Sequence, residues 1–390
     1  MGKSAEKHVD SWLLVAFFLL MLLGIIMVYS ASAIYAESEL GDHAYYLKRH
    51  LVQLLVGLVA LALAYSFPYE SLRGKTGILM AGTIVLLMYA AFVEQSRWIR
   101  LGFVNFQAVD VAKMALIVFF ADSLSRKEKI LTSYSEGLFP HLFYLALCGF
   151  LVLIQPDFSS AAMLVAIGLT ILFSSPVKVA HLALTGLAFV PAAMFAVWRS
   201  PYKLARVMAF LNPGADIQGS GYQVHQSLVS LGHGGISGLG FAGSTQKMFF
   251  LPEAHTDFIF AIIGEEWGLI GTLVVVAIFT VIMLRGLKLA SQINDRFYRY
   301  LVIGITAHFF YYGVVNMMVT LQLMPATGLP LPFISYGGTA LVVSCAYAGM
   351  LLKIANQRLG VAAPAPRRRS ARAPRSGPAV ARVAAGSKKH

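Results

Sequence analysis

The sequence predicts an all-α polytopic membrane protein with about ten transmembrane helices and one long extracytoplasmic loop between the seventh and eighth. Three observations predict it. First, 58% of the 390 residues are hydrophobic, only 13% are charged, and the mean hydropathy is +0.70. A soluble domain is about 45–50% apolar and about 25% charged, so an ordinary cytosolic enzyme and a mainly disordered chain are both excluded. Second, apolar stretches near the roughly 20 residues a spanning helix needs recur at 12–34, 51–67, 76–93, 108–125, 138–155, 158–175, 178–198, 257–284, 297–323 and 338–357. Third, Lys and Arg alternate unevenly between the connections: 22 lie on the side of the N-terminus and 8 on the other. With the eight basic residues of the tail set aside the bias is still 14 to 8, which predicts both termini on the cytoplasmic side.

The first span carries Ser30-Ala31-Ser32-Ala33, which resembles a signal-peptide cleavage site. Its apolar run is too long for an h-region of roughly 7–15 residues, so it reads as a retained helix. The fourth span is the weakest, because Asp110, Lys113 and Asp122 interrupt it. The fifth and sixth are separated only by Gln155-Pro156-Asp157, and residues 199–256 form the long external loop. Residues 1–11 precede the membrane domain at 12–358, and 359–390 form a basic, Ala- and Pro-rich tail that cannot bury a core. That tail accounts for eight of the +13 formal charges. The basic balance therefore does not signal nucleic acid; it fits a solvated tail, anionic inner-leaflet lipids or a cytoplasmic partner. Cys148 and Cys345 lie in separate apolar runs and form no disulfide or zinc pattern.

The distinctive polar sequences cluster at the outer ends of the spans, which places recognition or chemistry there. Gly238–Gly243 fits G-x-G-x-x-G but has no strand–helix context for a dinucleotide, and reads as a loop or close backbone packing. There is no phosphate-binding P-loop, and His225, His233 and His255 lack metal-ligand spacing.

Ionisable side chains at membrane depth are costly and mark partners or sites. Asp110 and Lys113 share a helix face, either as an internal ion pair or as a cationic site held by the carboxylate. Arg100 sits at the mouth of the same helix, where it snorkels or binds an anion. Asp157 precedes an apolar helix and suits an N-cap. Asp257 stands where the long loop enters a span and is either another N-cap or a functional carboxylate. On a helical projection Ala261, Gly264, Gly268 and Gly271 fall within about 40° of it and predict a small-residue seam for close helix approach. Glu265, about 80° away, and Glu266 bond neighbouring helices or line a polar channel. Pro330, Pro332 and Gly337-Gly338 frame an irregular stretch around Ser335, a candidate cavity wall.

These segments carry a resemblance. Leu251-Pro252-Glu253-Ala254-His255-Thr256-Asp257-Phe258-Ile259-Phe260-Ala261 followed by Gly264-Glu265-Glu266 resembles the most distinctive motif of the SEDS (shape, elongation, division and sporulation) family. Thr327 to Gly338 resembles its C-terminal signature. Arg97-Trp98-Ile99-Arg100-Leu101-Gly102, Gln155-Pro156-Asp157 and Gly221-Tyr222-Gln223 through Gln226-Ser227 are similar to further family segments in the same order. The likeness covers about residues 10–358. Val28–Ser32 and Tyr45–His50 look like the division branch, while Gly328–Pro332 leans toward the elongation branch.

The resemblance implies a peptidoglycan glycosyltransferase of the inner membrane. It would polymerise lipid II into glycan strands at the outer face, beside a class B penicillin-binding protein transpeptidase and other division proteins. Inversion at an α-linked glycosyl diphosphate needs a base for the attacking hydroxyl and help for the leaving group. Asp257 is the implied base. Arg100, Lys113 and Arg206 are candidates to stabilise the diphosphate, with Asp110, Trp98, Gln155, Asp157, Ser335 and Glu265 as further substrate-site residues. No cofactor is implied with certainty; a divalent cation, Mg or Mn, could assist the diphosphate. Two departures stand out: Asp110 replaces the family's usual Glu, which puts its reach to Lys113 in question, and Gln107-Ala108-Val109 lacks the usual proline. A lipid II flippase and a non-catalytic division scaffold are the rival readings.

Overall fold

A computed structural model describes residues 10–101, 104–212, 219 and 221–357. The basic tail at 359–390 lies outside them. Twelve α-helices are present among the described residues: α1 (Ser11–Leu40), α2 (Tyr45–Ser66), α3 (Thr76–Phe92), α4 (Ala108–Arg126), α5 (Phe139–Ile154), α6 (Phe158–Phe173), α7 (Val179–Trp198), α8 (Pro201–Leu211), α9 (Tyr222–Gly234), α10 (Ile259–Gln292), α11 (Arg296–Thr320) and α12 (Gly338–Gln357). Each of the ten apolar stretches coincides with a helix. Six (α1, α2, α5 with the turn before it, α10, α11 and α12) are long and apolar enough to cross a membrane, and α3, α6 and α7 are shorter apolar helices. The chain is a multi-pass membrane protein.

The all-α class holds, with one small addition among the described residues: Trp98–Leu101 (β1) and Val104–Gln107 (β2) pair antiparallel, Trp98 opposite Gln107 and Arg100 opposite Asn105. The long segment at 199–256 contains α8 and α9.

Polar groups and glycines explain the packing. Asp10 caps α1 by accepting from the Leu13 N–H (3.3 Å). α2 runs against α12, where Gly57 meets Cys345 and Gly349 meets the Leu61 carbonyl with no room for a Cβ; small residues let membrane helices approach this closely. α4 has weak hydropathy because it lies inside the bundle, packed by α3, α6 and α11, with nearly all of it buried. Its charges are satisfied there: Asp122 accepts from Thr76 (2.6 Å), the Gly74 N–H (3.1 Å) and Arg126 (3.0 Å).

α10 is broken. Gly268 has φ 66° and ψ −161° inside it, so the carbonyls before the break and the N–H groups after it lose their helical partners. The loop after α9 supplies replacements. The N–H groups of Leu239 and Gly240 donate to Glu265 O and Glu266 O (3.0 and 2.9 Å), and those of Leu269 and Ile270 donate to Gly235 O and Ile236 O (2.9 and 3.3 Å). Unpaired backbone is tolerated at such depth only when protein covers it, and the Gly-rich segment is that cover. A Cβ on Gly238 would lie 2.2 Å from Glu266 O, and one on Gly268 would lie 2.4 Å from Gly238 N. The projected seam is thus corrected: Gly264 faces Leu231 of α9, Gly268 faces this loop, and Gly271 faces its own Trp267. Gly268→Ala should cost about 1–3 kcal/mol in backbone strain alone, with the clash added, and thermal unfolding of the detergent-purified protein should show a lower Tm.

Candidate active site

Asp257 ends the turn that leads into α10. It is not an N-cap: Phe258 holds that position, with no side-chain cap. The turn is fixed through its backbone. Ser335 donates from Oγ to Thr256 O (2.6 Å) while accepting from the Leu331 N–H (2.8 Å). The Tyr336 N–H donates to His255 O (2.9 Å). Asn316 of α11 donates from Nδ2 to both Asp257 O and Leu329 O (2.8 Å each). The proline-rich stretch 328–336 is therefore a clamp that positions Asp257, beyond the cavity-wall reading of Ser335.

The Asp257 side chain is half-buried. Among the described residues its carboxylate oxygens accept no hydrogen bond. Gly328 sits at φ 73°, a backbone conformation that favours glycine, and packs beside the carboxylate, a Cβ there falling 3.4 Å from Oδ2. Burial raises its pKa to about 6, Glu253 adds to the rise, and Arg206 and Arg97 oppose it. Burial likewise holds the neighbouring His255 below the usual imidazole range, so that ring is neutral at pH 7.

Two cations thus act on Asp257. Arg206 lies on α8, its Nη1 donating to Ala326 O (3.0 Å) and its guanidinium 4.6 Å from the Tyr202 ring centroid. Arg97 is exposed at the entry to β1. Sequence reasoning named Arg100 and Trp98 from that segment and missed Arg97. The structure leaves Arg100 exposed and Trp98 half-buried on the hairpin.

Lys113 and Asp110 form a buried pair at 2.7 Å, so the shorter carboxylate does reach its partner. Lys113 also donates to the Tyr312 hydroxyl, and Asp110 accepts from Thr339 Oγ1 (3.2 Å). The pair lines a small cavity beneath the clamp, together with Ser335, Pro330 and His308. The segment that holds Asp257 forms one of its walls.

The remaining candidates have hydrogen-bond partners of their own, and the helix that Asp157 begins reaches the edge of the clamp through Ser159, which donates to Thr327 O (2.7 Å). Gln155 is buried and donates to Leu87 O (3.1 Å), tying α5 to α3. Asp157 caps α6 by accepting from the Ser160 N–H (3.0 Å). Glu265 is buried and accepts from Ser244 Oγ (2.5 Å) and the Thr245 N–H (3.0 Å). Beside it, Lys247 reaches in from the loop to Glu266 (2.6 Å), which also accepts from Ser30. These two carboxylates pin residues 244–247 to the bundle. No sequence signal marked Lys247, whose partner lies across the fold.

Against known proteins, the cell cycle protein family of FtsW, RodA and SpoVE matches residues 10–359. The chain belongs to this family, the SEDS proteins. A SEDS relative from Trichlorobacter lovleyi, a probable peptidoglycan glycosyltransferase FtsW, is 38% identical over 85% of this chain and 89% of its own. Stage V sporulation protein E of Bacillus subtilis is 34% identical over 88% of this chain and 96% of its own. Among solved structures, a chain from a peptidoglycan synthase complex studied for coordination of polymerization and crosslinking superposes with a TM-score of 0.73, at 26% identity over 90% of this chain and 98% of that one. The rod shape determining protein RodA of Thermus thermophilus shares the SEDS fold, with a TM-score of 0.65 at 23% identity over 91% and 99% of the two chains.

Proposed function

We propose that this SEDS protein is a peptidoglycan glycosyltransferase that polymerises lipid II by inverting single displacement, with Asp257 as the general base. One observation carries the assignment. A carboxylate whose turn is held by three hydrogen bonds to its backbone accepts none on its own oxygens among the described residues, has its pKa raised to about 6, and feels two arginines. A general base works best when its pKa lies near the working pH.

The 4-hydroxyl of the acceptor GlcNAc attacks the anomeric carbon of the lipid-linked donor and gives its proton to Asp257. The C–O bond to the diphosphate breaks, and undecaprenyl diphosphate leaves with the electron pair. Arg206 and Arg97 take up the developing negative charge, with Arg100 at the rim of the same hairpin. Lys113, buried and paired with Asp110 in the cavity that the clamp walls, is not open to the diphosphate and supports the site from within the bundle. The described residues contain no group of three potential metal ligands. The carboxylates at the site, Asp257 and Glu253, suit a Mg or Mn ion carried in on the diphosphate, since Mg typically takes one or two carboxylates plus substrate phosphates.

The Lys/Arg bias supports cytoplasmic termini and an outer-face site. The FtsW names of the relatives favour a role in division, and the likeness to a chain from a complex that coordinates polymerization and crosslinking favours a transpeptidase partner, here a class B penicillin-binding protein. The test is polymerisation of purified lipid II by the protein with that partner, its transpeptidase blocked and no other polymerase present. Long glycan strands are expected. No product despite a partner of known competence would overturn the enzyme reading in favour of a flippase or scaffold.

A further inference from the structure

The catalytic turn has two chemically different flanks. One is cationic, with Arg206 and Arg97. The other is aromatic, with Glu253 as the acidic group that acts on its His255 and Tyr46. His255 stacks on Tyr35 of α1 (centroids 6.0 Å, 28° between planes) and packs on Tyr46 of α2 (4.5 Å) and on Tyr336 of the clamp (5.8 Å). Phe249 extends the row beyond Tyr35 at 6.0 Å. The outer members remain open: Tyr35 is 38% exposed and Phe249 55%. Two elements and two loops thus converge to build a ring platform whose centre is the residue two before Asp257.

The substrate divides in the same way, into a charged diphosphate and neutral pyranose rings. The C–H groups of a pyranose face are slightly positive and match the negative face of an aromatic ring. We propose that Tyr35 and Phe249, backed by His255, Tyr46 and Tyr336, form a subsite for an aminosugar ring of the glycan. The proposal rests on the function argued above and adds where the sugar lies. It also sets the direction of the chain across the turn: diphosphate toward α8 and the hairpin, sugars toward α1 and α2. An aromatic belt at the water–lipid boundary is the competing explanation of the exposed rings.

The probe is a lipid-free GlcNAc–MurNAc tetrasaccharide, followed by saturation-transfer NMR on the wild-type complex with its class B partner. Saturation should reach the sugar C–H protons, persist in Tyr35→Phe, and drop in the double variant Tyr35→Ala/Phe249→Ala. Both residues are surface-exposed, so the variants should keep the wild-type Tm. Kinetics with lipid II separate the two sources of the sugar. If the platform holds the acceptor, KM should rise roughly three- to tenfold at unchanged kcat. If it holds the nascent strand, products should shorten at unchanged KM. Wild-type transfer, KM and strand length in the double variant would overturn the platform while leaving Asp257 untouched. Ring-dependent tetrasaccharide binding in a protein that makes no polymer would instead defeat the polymerase reading alone.

Discussion

Asp257→Asn should lower the rate of lipid II polymerisation by about 10²- to 10⁴-fold, the typical contribution of a positioned general base. Asn is isosteric, so the argument isolates charge and basicity. The contacts that place residue 257 would survive, because Asn316 bonds its backbone oxygen and Ser335 and Tyr336 hold the carbonyls before it. The substitution also removes a half-buried negative charge that faces Glu253. Its Tm should equal or exceed that of wild type, a sign of a site kept charged for activity at some cost in stability. Size exclusion with the partner and thermal unfolding check that the loss is chemical. A variant that is inactive only because it unfolds or loses its partner would not support the assignment.

Lys113→Met should be among the most destabilising single changes in the chain. It strands Asp110 in the bundle with Thr339 as its remaining side-chain donor. Breaking a buried pair from one side costs about 3–5 kcal/mol, whereas replacing both members is often near neutral. Asp110→Asn/Lys113→Met should therefore recover most of the lost Tm. Polymerisation in that double variant then reports whether the cation itself contributes beneath the clamp or the pair serves only to hold the floor. A single variant as stable as wild type would contradict the buried geometry.

The sequence made some of this legible and hid the rest for physical reasons. Hydropathy locates α2 and α10 because helices with so much outward-facing surface must be apolar along their length, and α11 and α12 because their buried faces are apolar too. It underrates α4, whose charges are paired inside the bundle and never meet lipid. The hairpin at 98–107 escapes notice because its four-residue strands carry arginine and asparagine and show little alternation. α8 and α9 are hidden for a similar reason: amphipathic helices average to the hydropathy of a loop. The break at Gly268 lies in an apolar run that reads as continuous helix. What permits it is a loop some thirty residues earlier that supplies the missing hydrogen bonds, a relation between distant segments that no local pattern records. Asp257 was legible as the polar residue at the loop–span junction. Its supporting set was not: Asn316, Gly328 and Arg97 meet it only through the fold.

The most direct test is the pH dependence of single-turnover glycan transfer by wild type and Asp257→Asn. A base must be deprotonated to act, and burial lifts Asp257 to about 6. The wild-type rate should therefore rise with pH, pass half-maximum near pH 6 and level off above it, and Asp257→Asn should lack that step. Wild-type activity already level at pH 4–5, or the same step surviving in Asp257→Asn, would contradict Asp257 as the base.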